Sequence, residues 1–294
     1  MNLNKKHTTL IQDFLESKKE ISNSTRTTYK NSFIRLINLI YPTNKRKYLF
    51  TQSQPEIFAL IDASTYPINT KIEALKMYKY LTDYKNKPSL LIDNKIAGYF
   101  QKLNDVRATT NKKTISNLTY PQLLDMLEQS TGQKYLILYL LINGNVRNMD
   151  LIIEYTDDSK LINNVIGGNT KKNIIFLKNG SAFFVRSDYK TADKYGIKKM
   201  TIENQKFIDI IRDFPKNEMI FKNRGGKPYK TNEMSNYIKS IGRKFNPKLN
   251  LNQQMIYKII LNHHENNNDY KKMTELSKNR GHSLDIQKTF YSSK

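Results

Sequence analysis

The feature that most constrains this chain is an unbroken apolar run, Tyr135 to Ile142, which presents no polar face. A helix that is hydrophobic on every side cannot lie at a surface, so we expect this segment to be a helix in the middle of a core. The run is far too short to cross a bilayer. It needs apolar faces from several other elements around it, and 294 residues suffice for one large domain or two ordinary ones.

Two amphipathic helices are predicted in the first third of the chain. One begins at Ser24 and places Phe33, Leu36 and Ile40 on a single face, and the other, residues 69–84, repeats the pattern with lysines outward. Such helices need one another to bury their apolar stripes. We therefore predict that residues 1–103 form a helical bundle with a basic exterior.

Residues 104–117, NDVRATTNKKTISN, are polar, basic and without an apolar period, which predicts a linker between two domains. Thr119-Tyr-Pro-Gln122 follows, with the spacing of a capping box and a proline in the first turn. The sequence therefore predicts a second domain over residues 118–294 that opens with a helix.

The pattern changes after the apolar helix. Three short runs, residues 173–177, 181–186 and 197–202, predict a small antiparallel sheet. Helical patterns resume at about Asn204 and over Thr231 to Phe245, Gln253 to His263 and Tyr270 to Lys278. The expected fold class is mainly α with a small antiparallel β-sheet (α+β), a helical domain followed by a mixed one.

The charge of the chain predicts a polyanionic partner. Lys+Arg 49 against Asp+Glu 26 give a formal net charge of +23, spread along the whole chain. Of nucleic acid, anionic membrane and acidic protein, nucleic acid is the commonest partner, so we expect double-stranded DNA and no membrane. Without cysteine or a signal peptide, the protein is expected inside the cell, in the cytoplasm or nucleus, and not secreted.

Five separated residues suit chemistry on a phosphodiester. Arg147 follows the apolar helix with Asp150 three residues on, and Lys190 lies between the second and third predicted strands. His282 follows a glycine, and Tyr291 comes nine residues after that histidine. An arginine fork can stabilise the extra charge of a phosphorane, and a phenol can hold a broken strand as an ester.

Together these residues resemble the tyrosine recombinase and integrase superfamily over most of the chain. Residues 1–103 are similar to its core-binding domain and residues 118–294 to its catalytic domain. The resemblance implies that Tyr291 forms a 3′-phosphotyrosyl intermediate and that Arg147, oriented by Asp150, stabilises the phosphorane. It also implies that Lys190 protonates the departing 5′-hydroxyl and that His282 contacts the phosphate or takes the tyrosine proton. No cofactor or metal is implied, and the expected assembly is a homotetramer on DNA.

The sequence departs from the superfamily at one motif. Where relatives carry His-x-x-Arg, this chain has Met255-Ile256-Tyr257-Lys258, so Lys258 replaces the second arginine. A lysine keeps the charge and loses the bidentate fork. Arg280, beside His282, is the other candidate for that guanidinium. In the strand connection, Lys194 is the alternative to Lys190.

The preferred hypothesis is a site-specific recombinase or integrase of a mobile or viral element. One alternative is a type IB topoisomerase-like nicking and closing enzyme, which would relax supercoiled plasmid without pairing two duplexes. The other is a DNA-binding protein with a degenerate active site, which would bind DNA in a salt-sensitive way and form no covalent adduct.

Overall fold

The computed structural model of the chain describes residues 5–41, 48–113 and 118–280, with the backbone alone at residues 24 and 107–113. The chain divides into two compact units, Met1–Lys113 and Thr114–Lys294. In the first unit the described elements are α1 (Lys5–Ser17), α2 (Asn23–Ile40), a 3₁₀ turn (Leu49–Thr51), α3 (Gln54–Ala63), α4 (Ile68–Tyr84) and α5 (Leu90–Lys113). These helices form the unit's own apolar core.

Helices α2 and α4 confirm the amphipathic pattern that the sequence predicts. Phe33, Leu36 and Ile40 are buried on α2, and Leu75 and Leu81 are buried on α4. Helix α2 begins one residue before the predicted start. The reason is its cap, because the Ser22 hydroxyl, rather than a later serine, accepts the Thr25 amide at 3.2 Å.

Within the predicted linker, residues 104–113 are helical, because helix α5 continues through them to Lys113. Leu103 is buried in the core, and the three residues after it are exposed. The apolar period of the sequence ends near Leu103, while the backbone remains helical. A helical segment without regularly spaced apolar side chains gives no periodic signal.

The second unit contains the apolar helix. Its described elements are α6 (Tyr120–Glu128), α7 (Gly132–Asn143), a 3₁₀ turn (Asn148–Leu151), β1 (Ile153–Tyr155), α8 (Ser159–Ile166), β2 (Asn173–Lys178), β3 (Ser181–Arg186), α9 (Ala192–Tyr195), β4 (Lys198–Ile202), α10 (Gln205–Arg212), β5 (Glu218–Met219), α11 (Thr231–Phe245), α12 (Gln253–Asn266) and α13 (Tyr270–Arg280).

Helix α7 lies at the centre of the second unit, as the sequence predicts. Seven of its side chains are buried: Tyr135, Leu136, Ile137, Leu138, Leu140, Leu141 and Ile142. It packs against α6, α10 and α12. The predicted capping box of α6 is also present, since Thr119 and Gln122 each bond the other's backbone amide. Burial of α7 on every side fixes where the next turn begins, directly after Asn143.

The three predicted strands pair antiparallel, but the sheet is larger and mixed. Its order is β4-β3-β2-β1-β5, with β1 parallel to β2 and antiparallel to β5. Side chains alternate between its two faces. Ile175, Phe184 and Ile202 join the main core, while Ile174 and Val185 pack in a smaller cluster with α8 residues.

Among residues 5–41, 48–113 and 118–280, no helix is long and apolar enough to cross a membrane.

A histidine lies inside the core of the first unit. His7 is completely buried, and its Nε2 accepts the backbone N–H of Leu49 at 3.1 Å. Its ring packs edge-on to Phe33 and stacks near Tyr41. Burial lowers the pKa of His7 from 6.5 to about 4, because the protonated ring would lose its hydration. The neutral ring therefore links α1 to the 3₁₀ turn.

Acid should destabilise the first unit through His7. Between pH 6.5 and about pH 4, the unfolded chain binds a proton at His7 that the folded chain does not bind. The free energy of unfolding that is present above pH 6.5 therefore falls across this window. The loss should approach about 3 kcal/mol, at ~1.4 kcal/mol per pKa unit. The His7→Phe variant keeps an aromatic ring and cannot titrate. Urea unfolding of both proteins across the window should show a stability difference that shrinks as pH falls, and a constant difference would contradict the assignment.

Candidate active site

The turn after α7 presents Arg147 and is held from several sides. Gly144 caps the helix where a Cβ would come within 2.7 Å of the Leu140 carbonyl oxygen. Asn145 then takes a left-handed conformation, with φ 49°. Asn148 bonds two other helices, its side chain to Ser235 Oγ of α11 at 2.5 Å and its backbone N–H to Gln253 Oε1 of α12 at 2.6 Å. Arg147 is therefore carried by a backbone that cannot move independently of α11 and α12.

Asp150 lies at the end of this turn and is almost completely buried. Its Oδ2 accepts the backbone N–H of Arg147 at 3.1 Å and the guanidinium Nη1 of Arg186, also at 3.1 Å. Arg186 is itself only 4% exposed and is the last residue of β3. The acid that the resemblance assigns to orienting Arg147 thus holds the Arg147 backbone and forms a buried ion pair with Arg186.

Lys198 faces the same site from the neighbouring strand. It is the direct cross-strand partner of Arg186, and Asn173 of β2 completes the row across the sheet. Two cations directly opposite each other in a sheet repel. Burial, Arg186 and Arg147 together lower the pKa of Lys198 from 10.5 to about 8, while Asp150 opposes the shift. These four residues form a cationic cluster, Arg147, Asp150, Arg186 and Lys198, with a single carboxylate.

Aromatic rings border Lys198. Its Nζ lies 5.4 Å from the ring centre of Tyr189 and 5.5 Å from that of Tyr195. The Tyr189 hydroxyl donates to the Gly196 carbonyl at 2.6 Å, which fixes the connection between β3 and β4 beside the lysine. Partial burial removes water from the ammonium group and favours its neutral form, while attraction between the cation and the ring faces opposes this effect.

Lys190 and Lys194 lie in the same connection and are exposed. Lys194 Nζ is 5.4 Å from the centre of the Tyr195 ring. The charged groups that act on Lys198 are Arg186, Arg147 and Asp150. The role of Lys190 remains a prediction, and Lys198, at the start of β4, lies close enough to Arg147 for their charges to interact.

One signal in the sequence could have identified Lys198, namely its position in the alternating pattern of strand β4. Within β4, Met200 and Ile202 face the main core, and Lys198 has the same phase. A lysine on the inward phase of a short strand is unusual. Arg186 likewise shares the phase of Ala182 and Phe184, both buried in the main core. Pairing of the two inward cations becomes visible only once the strand register is known.

Helix α12 carries Met255, Tyr257 and Lys258, which belong to the motif that departs from the superfamily pattern, and helix α13 carries Arg280. Met255 is half-buried against the main core, Tyr257 is buried and Lys258 is partly exposed. Arg280, the last residue of α13, is 4% exposed and places its guanidinium carbon 4.1 Å from the centre of the Tyr257 ring. Arg280 is therefore held inside the second unit on the face of α12. His282 and Tyr291 lie outside the described residues.

Among residues 5–41, 48–113 and 118–280, no group of three or more histidine, aspartate or glutamate residues is arranged to hold a metal ion.

Comparison with known proteins finds a similar solved structure. A crystal structure of XerA recombinase is similar to this chain with a TM-score of 0.39 and 12% sequence identity, covering 96% of this chain and 93% of that chain. No protein-family model matches the sequence, and no curated protein matches it.

Removing one member of the buried ion pair should destabilise the second unit strongly. Asp150→Asn leaves the Arg186 guanidinium buried without its carboxylate, and Arg186→Met leaves the carboxylate without its buried partner; each should cost about 3–5 kcal/mol. The double variant should cost clearly less than the sum, because neither member of the pair is left buried without the other. Urea unfolding of the four proteins measures this coupling. Strictly additive effects would show that the two charges do not depend on each other.

Proposed function

We propose that this protein is a DNA strand transferase of the tyrosine recombinase type, which cuts and rejoins DNA through a 3′-phosphotyrosyl intermediate. The observation that carries the proposal is the convergence of Arg147, Arg186 and Lys198 around one buried carboxylate. Such a cluster has excess positive charge in a partly dry place, which suits a bound phosphodiester. The formal net charge of +23 suits a long polyanion beyond that single phosphate.

The reaction assigned to the site balances without an external energy source. The Tyr291 hydroxyl oxygen attacks the phosphorus, and the bond between phosphorus and the 5′-oxygen breaks. The phenolic proton passes to His282 or to water, and the 5′-oxygen takes a proton from a lysine ammonium group. Attack by a 5′-hydroxyl on the phosphotyrosine reverses these steps and seals the strand. The ester keeps the energy of the broken bond, so neither ATP nor a cofactor is required.

Arg147 and Lys198 have different tasks in this scheme. Arg147 supplies a fixed fork of donors to the non-bridging oxygens, where negative charge grows in the transition state. Lys198 is the better proton donor of the candidate lysines, because its pKa of about 8 makes its proton available near neutral pH. Lys190, which the resemblance favours, is exposed in the structure. Lys258 and Arg280 remain the candidates for the second phosphate-binding cation.

The biological setting is part of the proposal. A recombinase or integrase would assemble as a tetramer on two duplexes and act on a mobile or viral genome inside the cell. A nicking and closing enzyme would use the same chemistry on one duplex. If the replacement of His-x-x-Arg by Met255–Lys258 has abolished catalysis, the remaining activity is DNA binding alone.

Covalent trapping on a random pool tests the nucleophile when the target site is unknown. Nicked duplexes with a random central sequence are incubated with the full chain, and protein-bound DNA is recovered after denaturation. The wild-type protein should retain DNA of a defined sequence, and Tyr291→Phe should retain none. Tyr270→Phe, an exposed tyrosine on α13, is the matched control and should behave as wild type. An adduct that survives in Tyr291→Phe would refute the assignment, and its absence in wild type would leave a DNA-binding protein.

Lysine variants on the recovered target identify the proton donor. Lys198→Met should slow cleavage by about 10²–10⁴-fold, the usual contribution of a general acid, and Lys190→Met should have a much smaller effect. Replacing the departing 5′-oxygen by sulfur should restore the rate of Lys198→Met, because a thiolate leaves without protonation. At limiting DNA concentration, where the rate reports the free protein, the cleavage rate of wild type should fall as pH rises past about 8. If the sulfur substrate rescues Lys190→Met instead, Lys190 is the donor.

A further inference from the structure

Backbone carbonyl groups of α13 accept hydrogen bonds from the same cations that the proposed function assigns to the DNA phosphate. Lys198 Nζ donates to the Lys278 carbonyl and, at 3.2 Å, to the Asn279 carbonyl. Arg186 Nη2 donates to the Asn279 carbonyl at 3.3 Å. Two cations of the sheet therefore bind backbone carbonyl groups in the last described turn of α13.

These contacts are of the kind that a phosphate oxygen would replace. A backbone carbonyl group carries no net charge, whereas a phosphodiester carries a full negative charge on two oxygens. Hydrogen bonds to an ionised acceptor are about twice as strong as those between neutral groups. Among the described residues no carboxylate lies within salt-bridge distance of Lys198, and its hydrogen bonds go to these carbonyls.

The remainder of α13 is fixed by contacts that a phosphate would not disturb. Met273 and Leu276 are buried in the main core. The ion pair of Arg186 with Asp150 does not involve α13. Loss of the Lys198 contacts would therefore loosen the last turn of α13 and leave the helix docked.

We propose that Lys198 is also a positioning residue: it holds the last turn of α13 until a phosphate arrives, and its transfer to the phosphate releases that turn. The inference rests on the proposed function, because it takes the phosphodiester as the competing ligand. Helix α13 is the element that precedes residues 281–294, where the sequence places His282 and Tyr291.

Hydrogen exchange on the full chain tests this link with inorganic phosphate as the probe. The amides of residues 277–280 are compared in phosphate and in chloride of equal ionic strength. In wild type, phosphate should speed their exchange by about tenfold, which corresponds to ~1.4 kcal/mol of lost protection. In Lys198→Met, exchange should be fast in both salts. Lys198→Arg, which keeps a charged donor, should restore slow exchange in chloride.

Lys199→Met is the matched control, since Lys199 is exposed on the same strand and should leave wild-type behaviour unchanged. Slow exchange in Lys198→Met, or slower exchange of wild type in phosphate than in chloride, would overturn the inference. Exchange requires no strand cleavage. A covalent adduct without the exchange effect would therefore refute the coupling alone, and the exchange effect without an adduct would refute the strand-transfer function alone.

Discussion

The buried ion pair between Asp150 and Arg186 is the interaction on which the cationic cluster depends. It joins the turn after α7 to the end of β3, and the same carboxylate holds the Arg147 backbone. A buried pair is a weak source of stability, because desolvation of both charges offsets their attraction. Its effect here is geometric: it sets the distance between the Arg147 turn and the sheet, and with it the position of any phosphate that both contact.

The cluster violates the ordinary rules of sheet packing. Arg186 and Lys198 are like charges in direct cross-strand register at the edge of an apolar core, and one carboxylate cannot neutralise both together with Arg147. Local conflicts of this kind are expected at functional sites, where a ligand supplies the missing partner. Carbonyl groups of helix α13 accept hydrogen bonds from both cations in that place. They satisfy hydrogen bonds without neutralising the charge, so the cluster keeps an excess of positive charge.

The sequence predicts the parts of this fold that have a strong local signal. The central helix α7, the capping box at Thr119, the β2 and β3 hairpin and the limits of α11 all follow from periodicity or from cap residues. Strands β1 and β5 are not predicted. They span only three and two residues, too few for an alternating pattern to be recognised, and both exist through pairing with distant segments.

The candidate site is predictable only in part for the same reason. Arg147 and Asp150 are close in sequence, so their spacing is visible. Arg186 and Lys198 are neighbours because of the register between β3 and β4, and Asp150 and Arg186 are 36 residues apart in the sequence. Neither contact can therefore be predicted from a local sequence pattern. The exposed Lys190 has the more conspicuous place in the sequence, in a turn before a threonine. Burial, which decides the pKa of a lysine, depends on tertiary packing.

The most direct test of the account is the pKa of the Lys198 ammonium group, measured by NMR on the full chain with isotope-labelled lysine and assigned with Lys198→Arg. The free protein should give a value of about 8. Addition of duplex DNA should raise the pKa, because a phosphate beside the ammonium group favours its charged form. A value near the ordinary 10.5 that does not move when DNA is added would contradict the claim that this cluster is a phosphate site.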